Sequence, residues 1–403
     1  MDSIMKKLAF YMLITLMFSF HVNAQWKVCN HGVRIGEGVC FILDSNNLYY
    51  CARDKGVYLS TNNGDSWIAK NTGFINNGDD YYINYLIFSL AMNGNKMIAG
   101  TWVNGIFLST DKGNSWVQKC NGLPYDSIQS MYDGNVNSLV FDGDNIYAGT
   151  DWGFFISTND GDNWTQKNNG LLSTYITSLA IKGNNIFAGT RSSGIFLLID
   201  KGDNWFPKNI AMGYINLIII DGDKIIAGTG EDGIYISSDN GDSWTRKFNW
   251  SIIGTNSLII YNDIYFAAGS GVSYSTDYGD TWTDISEGLT EYDIETIIIK
   301  DNYIFAGTNS GLIFRAKLSD LITDVIENEQ NINTIITPNP ANDLLIINSV
   351  NSIGKEISIY DMLGNKLKTF KQEGSETRIN IESLSIGIYI IRIGEITKTF
   401  IKE

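Results

Sequence analysis

Acidic and amide side chains occur in short clusters that end in tryptophan, and these clusters are the first candidates for chemistry. In "STNDGDNW", Ser157 to Trp164, the carboxylates could bind calcium, act as catalytic acids or hold a tight turn. A calcium loop of the EF-hand type needs a bidentate glutamate at its twelfth position. Counting from Asn159, that position is Gly170, and no other copy of the cluster has an acid there. The pattern therefore favours a turn and predicts no metal site.

The cluster occurs six times, and three of its positions have a clear physical role. The third residue, Asp or Asn, can accept hydrogen bonds from turn amides. The glycine is expected to take a positive φ, and the tryptophan to bury apolar area between repeat units. These positions are Asn62, Gly64 and Trp67; Asp111, Gly113 and Trp116; Asn159, Gly161 and Trp164; Asp200, Gly202 and Trp205; Asp239, Gly241 and Trp244; and Asp277, Gly279 and Trp282.

The clusters belong to a longer repeat with a period of about 40 residues. A second marker, "AGT" or a degenerate form of it, precedes each cluster and also occurs at 306–308. Between the markers, β-branched and aromatic runs alternate with turn residues, which predicts four antiparallel strands per unit. Such units are typical of β-propeller blades, with a solenoid as the alternative.

The seventh unit has no cluster and no fourth strand of its own. The N-terminal stretch "QWKVCNHG" (25–32) resembles the fourth strand of the second unit, "SWVQKCNGL". We therefore expect Trp26 to Asn30 to complete the last blade and close the ring, which would remove the exposed edge that an open sheet would leave. The sequence predicts an all-β chain, with a seven-bladed propeller over residues 25–317 followed by a small C-terminal β-sandwich.

The six clusters resemble the Asp-box, or BNR, repeat. Families that carry it include sialidases, xyloglucan-degrading propellers, sortilin-type receptors and photosystem assembly-factor-like propellers. The resemblance implies that each box is a structural hairpin at the periphery of its blade.

The two ends of the chain predict export. Residues 1–24 contain Lys6, Lys7, a short apolar stretch and "VNA", which is the pattern of a signal peptide. We predict no transmembrane segment after its removal. Residues 318–332 are an acidic linker, and residues 333–403 contain "TPNPANDLL", "ISIYDMLGNKL" and a Lys-rich terminus.

This tail resembles the type A C-terminal sorting domain of the type IX secretion system of Bacteroidota. The resemblance implies that the type IX machinery is a partner, that the protein is secreted or lies on the outer cell surface, and that the tail is removed. A small carbohydrate-binding sandwich is the alternative for this region.

Composition excludes several functions. The net charge of −15 argues against nucleic acid or anionic lipid as a partner. His31 is the one histidine beyond the signal peptide. A histidine-based zinc site or a Ser-His-Asp triad therefore has almost no residues from which it could form, and no cofactor is predicted. Cys40 and Cys51 flank a predicted hairpin, where they could form a disulfide or serve as small core residues.

Ligands of propellers usually meet the loops between the second and third strands and the loops between blades, on the side away from the boxes. Trp102 and Trp152 occupy matching positions in such loops. Exposed aromatic rings beside acids and amides suit sugar binding, although they could merely pack the loops. The predicted site for a glycan or surface protein contains Trp102, Trp152, Tyr81, Tyr82, Tyr125, Asp126 and Asp151.

Besides ligand binding, the sequence leaves two other functions open. The protein could be a glycoside hydrolase or a structural component of the cell surface. A glycosidase needs two nearby carboxylates. Those eligible by loop position are Asp79, Asp80, Asp126, Asp133, Asp151, Asp232 and Glu291. A sialidase resemblance would rest on Arg34, Arg53 and Arg191, but "VRIGEG" lacks the proline of the family's Arg-Ile-Pro motif.

Overall fold

The structure, a computed structural model, describes most of both predicted domains. The described residues are 26–30, 36–74, 86–102, 104–126, 131–132, 134–208, 214–230, 232–247, 254–322, 335–337, 340–348, 354–361, 365–371, 374, 376–393 and 396–402. The predicted signal peptide and residues 323–332 of the predicted linker lie outside them. The chain divides into two compact units, one up to Asp320 and one from Leu321. No helix among the described residues is long and apolar enough to cross a membrane.

The described part of the first unit contains seven four-stranded antiparallel sheets, numbered here along the chain. It begins with β1 (Lys27–Val28). Sheet 1 contains β2 (Gly38–Asp44), β3 (Asn47–Ala52), β4 (Gly56–Ser60) and β5 (Ile68–Ala69). Sheet 2 contains β6 (Ile87–Asn93), β7 (Lys96–Thr101), β8 (Ile106–Ser109) and β9 (Val117–Gln118). A separate hairpin follows, made of β10 (Tyr125–Asp126) and β11 (Met131–Tyr132).

The next two sheets repeat this pattern. Sheet 3 contains β12 (Val136–Asp142), β13 (Asn145–Thr150), β14 (Gly153–Ser157) and β15 (Thr165–Gln166). Sheet 4 contains β16 (Ile176–Lys182), β17 (Asn185–Thr190), β18 (Ile195–Leu198) and β19 (Trp205–Lys208), with a 3-10 turn at Ile199–Lys201.

The last three sheets complete the unit. Sheet 5 contains β20 (Ile215–Asp221), β21 (Lys224–Thr229), β22 (Ile234–Ser237) and β23 (Thr245–Lys247). Sheet 6 contains β24 (Ser257–Tyr261), β25 (Ile264–Gly269), β26 (Gly271–Ser275) and β27 (Thr283–Asp284). Sheet 7 contains β28 (Ile294–Lys300), β29 (Tyr303–Thr308), β30 (Ile313–Lys317) and β1, and a short helix, α1 (Leu318–Leu321), follows it.

The sheets form a closed ring. The innermost strand of each sheet contacts that of the next, and β28 of sheet 7 contacts β2 of sheet 1. Strand β1 is the outer strand of sheet 7, where Lys27 lies opposite Arg315 and Val28 opposite Phe314. This circular packing of sheets is that of a β-propeller.

The "AGT" marker lies in the second strand of its sheet, which is buried on both faces. In β13, the five residues from Ile146 to Thr150 are all buried. Gly149 leaves no room for a side chain, because a Cβ there would lie 2.5 Å from Cγ2 of Ile176 in the next sheet. The small residues of the marker therefore let adjacent sheets approach closely.

Each box closes the turn between the third and fourth strands and contacts the preceding sheet. In the third box, the backbone N–H of Gly161 donates to Oγ of Ser157 (2.8 Å), and that of Asn163 donates to Oδ1 of Asn159 (3.0 Å). Gly161 has φ +78°. The indole N–H of Trp164 donates to the carbonyl of Lys119, beside the outer strand of sheet 2 (2.9 Å). The box thus joins a turn to the neighbouring sheet.

The fourth box departs from the prediction that its glycine takes a positive φ. Gly202 has φ −70°, whereas Asp200 and Lys201 take the left-handed conformation. Leu198 stands where the other boxes have serine, so no hydroxyl can accept the glycine N–H. That N–H bonds instead to the carbonyl of Ile199 (2.9 Å), which produces the 3-10 turn.

A belt of ion pairs also links neighbouring sheets. Basic residues of the outer region of one sheet pair with an aspartate in the box of the next. The pairs are Lys208–Asp242 (2.7 Å), Arg315–Asp65 (3.0 Å), Lys119–Asp162, Lys167–Asp203 and Lys247–Asp280. Exposed pairs contribute only about 0.2–1 kcal/mol each, so this belt supplements apolar packing between sheets.

The cysteines of sheet 1 are not bridged. Cys40 and Cys51 are register partners on β2 and β3, yet both are free thiols. Of the two interpretations that the sequence allowed, a disulfide or small core residues, the structure has the second: the two cysteines pack as small side chains. Burial, together with the neighbouring Cys40, holds the pKa of Cys51 well above its usual 9.0, and this disfavours the thiolate that disulfide exchange requires.

The second unit is a small two-layer β-structure. One sheet contains β31 (Ile335–Thr337), β32 (Leu344–Asn348) and β35 (Glu376–Asn380). The other contains β33 (Glu356–Tyr360), β34 (Lys366–Lys371), β36 (Gly387–Ile393) and β37 (Ile396–Lys402). Both contribute to one apolar core that includes Leu345, Ile379, Ile359, Ile391 and Phe400. The all-β propeller followed by a small β-sandwich is therefore confirmed.

Candidate functional site

A β-bulge recurs near the start of the inner strands and directs one residue of each sheet toward the ring axis. In six described inner strands, the pairing register shifts around this residue. Bulges commonly re-aim side chains beside functional sites. The bulge residues are Val39, Phe88, Asn137, Thr177, Asn216 and Glu295, and Asn256 precedes the inner strand of sheet 6.

Four of these axial residues form a chain of hydrogen bonds from sheet to sheet. Each donates to a backbone carbonyl at the inner edge of the following sheet. The pairs are Asn137 to Ile176 (2.9 Å), Thr177 to Ile215, Asn216 to Thr255 (3.0 Å) and Asn256 to Ile294 (3.2 Å). Glu295, Val39 and Phe88 have no ordinary side-chain donor. The chain of bonds therefore stops at sheets 7, 1 and 2.

Two cavities lie at this end of the ring, and we call them together the axial site. The first has a volume of about 280 Å³ and is lined by the axial residues with Arg53, Tyr175 and Tyr214. The second has a volume of about 700 Å³ and extends over Glu37, Asp54, Trp102 and Asn135. Both cavities are lined by Arg53 and Phe88, so these two residues join them.

Arg53 has unused hydrogen-bonding capacity. Its Nη1 pairs with Oε1 of Glu37 at 2.6 Å, and its guanidinium lies 4.7 Å from the ring centroid of Phe88. Its Nε is buried and has no hydrogen-bond partner among the described residues, as is also true of Oδ1 of Asn135 and Oδ1 of Asn216. Buried polar atoms normally have partners, so these three point to a polar ligand or to solvent.

Two carboxyls of the axial site are poorly stabilised as anions. Burial raises the pKa of Glu37, and the nearby Arg53 offsets part of this effect. Burial also raises the pKa of Glu295, and the charges of Asp293 and Glu37 add to the increase. Perturbed carboxyls in a cleft are typical of functional sites.

The two predicted tryptophans do not share a cavity. Trp102 lines the larger cavity with 48% of its surface exposed, and Trp152, 39% exposed, lines a separate small cavity with Leu123 and Pro124. Asp151 accepts hydrogen bonds from the backbone N–H of Asn135 (3.0 Å) and from Nδ2 of Asn137 (2.9 Å). Asp151 therefore orients residues of the axial site.

Several other predicted residues are elsewhere or outside the described chain. Tyr125 is exposed on the hairpin β10–β11. Asp232 pairs with Arg246 (3.4 Å), and Glu291 accepts a hydrogen bond from Ser310. Arg191 stacks over Tyr175, which lines the smaller cavity, at 4.9 Å. The residues outside the described range are Arg34, Asp79, Asp80, Tyr81, Tyr82 and Asp133, together with the side chain of Asp126.

Sequence reasoning missed Glu37 and Glu295, although a signal for Glu295 exists. When the units are aligned on the start of the inner strand, the axial position reads Asn in "VNSLV", Thr in "ITSLA", Asn in "INLII" and Glu in "IETII". An acid in a column of neutral residues marks Glu295. Glu37 precedes its strand and has no equivalent signal.

Replacing Glu295 with glutamine is expected to raise the melting temperature at pH 7. Because the pKa of Glu295 is raised in the native state, its anion reduces stability above that pKa. Below its ordinary value of 4.5 the carboxyl is protonated in both states, so the gain should vanish there. Thermal unfolding of the Glu295→Gln variant across this pH range measures the effect, with exposed Glu287→Gln as the control. A gain independent of pH, or a loss at pH 7, would contradict the argument.

Comparison with known proteins identifies the C-terminal unit. Residues 336–403 match the family described as "Secretion system C-terminal sorting domain". This agrees with the sequence prediction and makes the chain a secreted or cell-surface protein. No curated protein matches the chain.

Solved structures similar to the chain are β-propellers. One is the extracellular domain of a one component system from B. thetaiotaomicron, at 17% identity and TM-score 0.60; it covers 81% of this chain, which spans about half (46%) of that one. Another is PorZ, a surface component of the type-IX secretion system of Porphyromonas gingivalis, at 14% identity and TM-score 0.54, covering 92% of this chain and 60% of its own. A third is YCF48 bound to D1 peptide, at 15% identity and TM-score 0.56. The match covers 72% of this chain and 96% of YCF48. At such identities the likeness shows the fold alone. The chain is therefore a β-propeller followed by a secretion-system sorting domain.

Proposed function

We propose that this surface propeller binds an extracellular glycan at the axial site after export through the type IX machinery. The leader at 1–24 and the tail at 333–403 would serve export. The observation that carries the proposal is the larger cavity, which combines the exposed indole of Trp102 with unpartnered polar atoms of Arg53 and Asn135. Sugar rings stack on such indoles while their hydroxyls bond to polar atoms.

Other residues extend this surface in our proposal. Trp152 and Tyr125 supply further exposed rings on the neighbouring loops. Tyr81, Tyr82 and Asp126 belong to the same predicted set. The boxes would stabilise the contacts between neighbouring sheets and take no part in binding.

The Trp102→Ala variant is expected to bind its glycan about tenfold more weakly, because the stacking surface is lost. A glycan array with the full chain identifies the ligand, and calorimetry then compares the variants. Phe206→Ala is the matched control, since Phe206 on β19 is also 48% exposed but lies on an outer strand. Equal affinity of Trp102→Ala and wild type, or no retention of any glycan, would refute the proposal.

A glycoside hydrolase is the second candidate, and one observation favours it. Glu37 and Glu295 both have raised pKa values, and they line the larger and the smaller of the two adjoining cavities, respectively. Glycosidases use two carboxyls, one of them kept protonated by its surroundings. Glu37 is already paired with Arg53, however, which makes binding without turnover the better fit. Release of reducing ends by the wild type, lost in Glu295→Gln, would reverse this preference.

A surface protein is the remaining class of ligand. The fold alone permits it, since YCF48 is a propeller solved with a peptide. The glycan array separates this class, because a protein-specific propeller would retain no glycan.

A further inference from the structure

We propose that the axial site selects ligands that carry a protonated amine, with the carboxylate of Glu295 as its partner. This inference rests on the proposed function, and it narrows the ligand from glycans in general to amino sugars.

Glu295 lacks a cationic partner in the described part of the chain. Its one hydrogen bond there is a long one, from Nδ2 of Asn309 to Oε1 at 3.4 Å. Arg53 is the cation whose charge offsets part of the rise in the pKa of Glu295, but its guanidinium pairs with Glu37. The remaining charges that act on Glu295 are those of Asp293 and Glu37, and both are negative. A half-buried carboxylate in such surroundings is stabilised by an added cation.

The position of Glu295 in the fold turns it toward the cavity. It occupies the bulge of β28 and lines the smaller cavity. The equivalent residues of sheets 3 to 6 are held by hydrogen bonds that they donate to the next sheet. A carboxylate has no hydrogen to donate, so the bond that would hold it against sheet 1 is missing and its oxygens stay available.

A second carboxylate lines the adjoining cavity. Oδ1 of Asp54 is buried and has no hydrogen-bond partner among the described residues, while its Oδ2 lies 3.6 Å from Nζ of Lys55. Lys55 is thus drawn to Asp54, not to Glu295. Glu37, Asp54 and Glu295 line the two cavities, and Arg53 is the one cation among the described lining residues. This balance disfavours acidic sugars and favours amines.

The same site offers groups for the rest of the sugar. The Nε of Arg53 is a donor and Oδ1 of Asn135 an acceptor, and both lack partners among the described residues. The indole of Trp102 supplies an apolar wall. Ring, hydroxyls and amine would therefore each meet a matching group.

The test compares glucosamine oligosaccharides with their N-acetylated counterparts of the same length, measured by calorimetry with the full chain. Acetylation removes the charge and leaves the ring and hydroxyls. Wild type is expected to bind the free-amine form about tenfold more tightly, the size of one charge-assisted hydrogen bond at a partly exposed site. Glu295→Gln should abolish this preference while it still binds the acetylated form, and salt should weaken the wild-type preference.

Glu287→Gln is the matched control, since it removes the same charge from an exposed position just beyond the outer strand of sheet 6. Equal affinity of wild type for the two oligosaccharides overturns the inference and leaves glycan binding intact. A preference that survives in Glu295→Gln, or that Glu287→Gln also removes, overturns it as well. Failure to bind either oligosaccharide or any arrayed glycan overturns the proposed function and the inference together.

Discussion

Replacing Trp164 by alanine is expected to lower the free energy of unfolding of the propeller by about 3–5 kcal/mol, the range found for buried tryptophans. Only 4% of its surface is exposed, and it packs between Ile98 and Leu108 of sheet 2 and Phe155 of sheet 3. The variant would leave a cavity at this interface and would remove the bond to the carbonyl of Lys119.

Urea unfolding followed by far-ultraviolet circular dichroism measures the loss. Trp152→Ala is the control, because it removes the same side chain from an exposed position. A loss below about 1 kcal/mol for Trp164→Ala, the level of an ordinary surface change, would mean that the box does not join the sheets.

The Gly122→Ala variant is expected to lose about 2–5 kcal/mol, combining left-handed strain with overpacking. Gly122 has φ +93°, and a Cβ there would lie 2.2 Å from the carbonyl oxygen of Trp164. That oxygen belongs to the backbone of the next box, so it cannot swing aside as a flexible side chain would. The linker between sheets 2 and 3 would be forced away from the box.

Gly143→Ala separates the two causes. Gly143 also has a positive φ, +61°, but a Cβ added there would have no neighbouring atom within 4 Å. It should therefore lose only the conformational part, about 1–2 kcal/mol. Thermal and urea unfolding of both variants give the comparison, and equal losses would show that the close approach of Gly122 costs nothing.

The fold could be read from the sequence because its signals are local and repeated. The turn at Gly161 depends on residues within one unit, and Trp164 is buried against the preceding unit, which has the same strand pattern. The prediction of a positive φ was wrong at Gly202, although the sequence contains a local signal for the exception, since Leu198 replaces a serine whose hydroxyl the turn requires. What the sequence left open at Cys40 and Cys51 was oxidation state, because register alone does not decide it.

The axial site was harder to predict because it is made by ring closure. Glu37 precedes sheet 1 and Glu295 lies in sheet 7, and these two sheets are remote in sequence and adjacent in space. The raised pKa of each comes first from burial, and ring closure adds the charge of Asp293 near Glu37 and that of Glu37 near Glu295, which no single unit reveals. The aromatic pattern of the loops therefore predicted that Trp102 is exposed, which is a local property, but it gave no sign of the two glutamates.

The pairing of β1 with β30 has a further consequence for how the chain can be rearranged. Because the first and last strands of the propeller are neighbours in one sheet, the ends of the ring can be joined by a short linker. A circular permutant that starts at β2 and places β1 after β30 would build sheet 7 from one continuous segment. In the natural order, the ring cannot close during synthesis until β30 (residues 313–317) has left the ribosome and paired with β1 (residues 27–28).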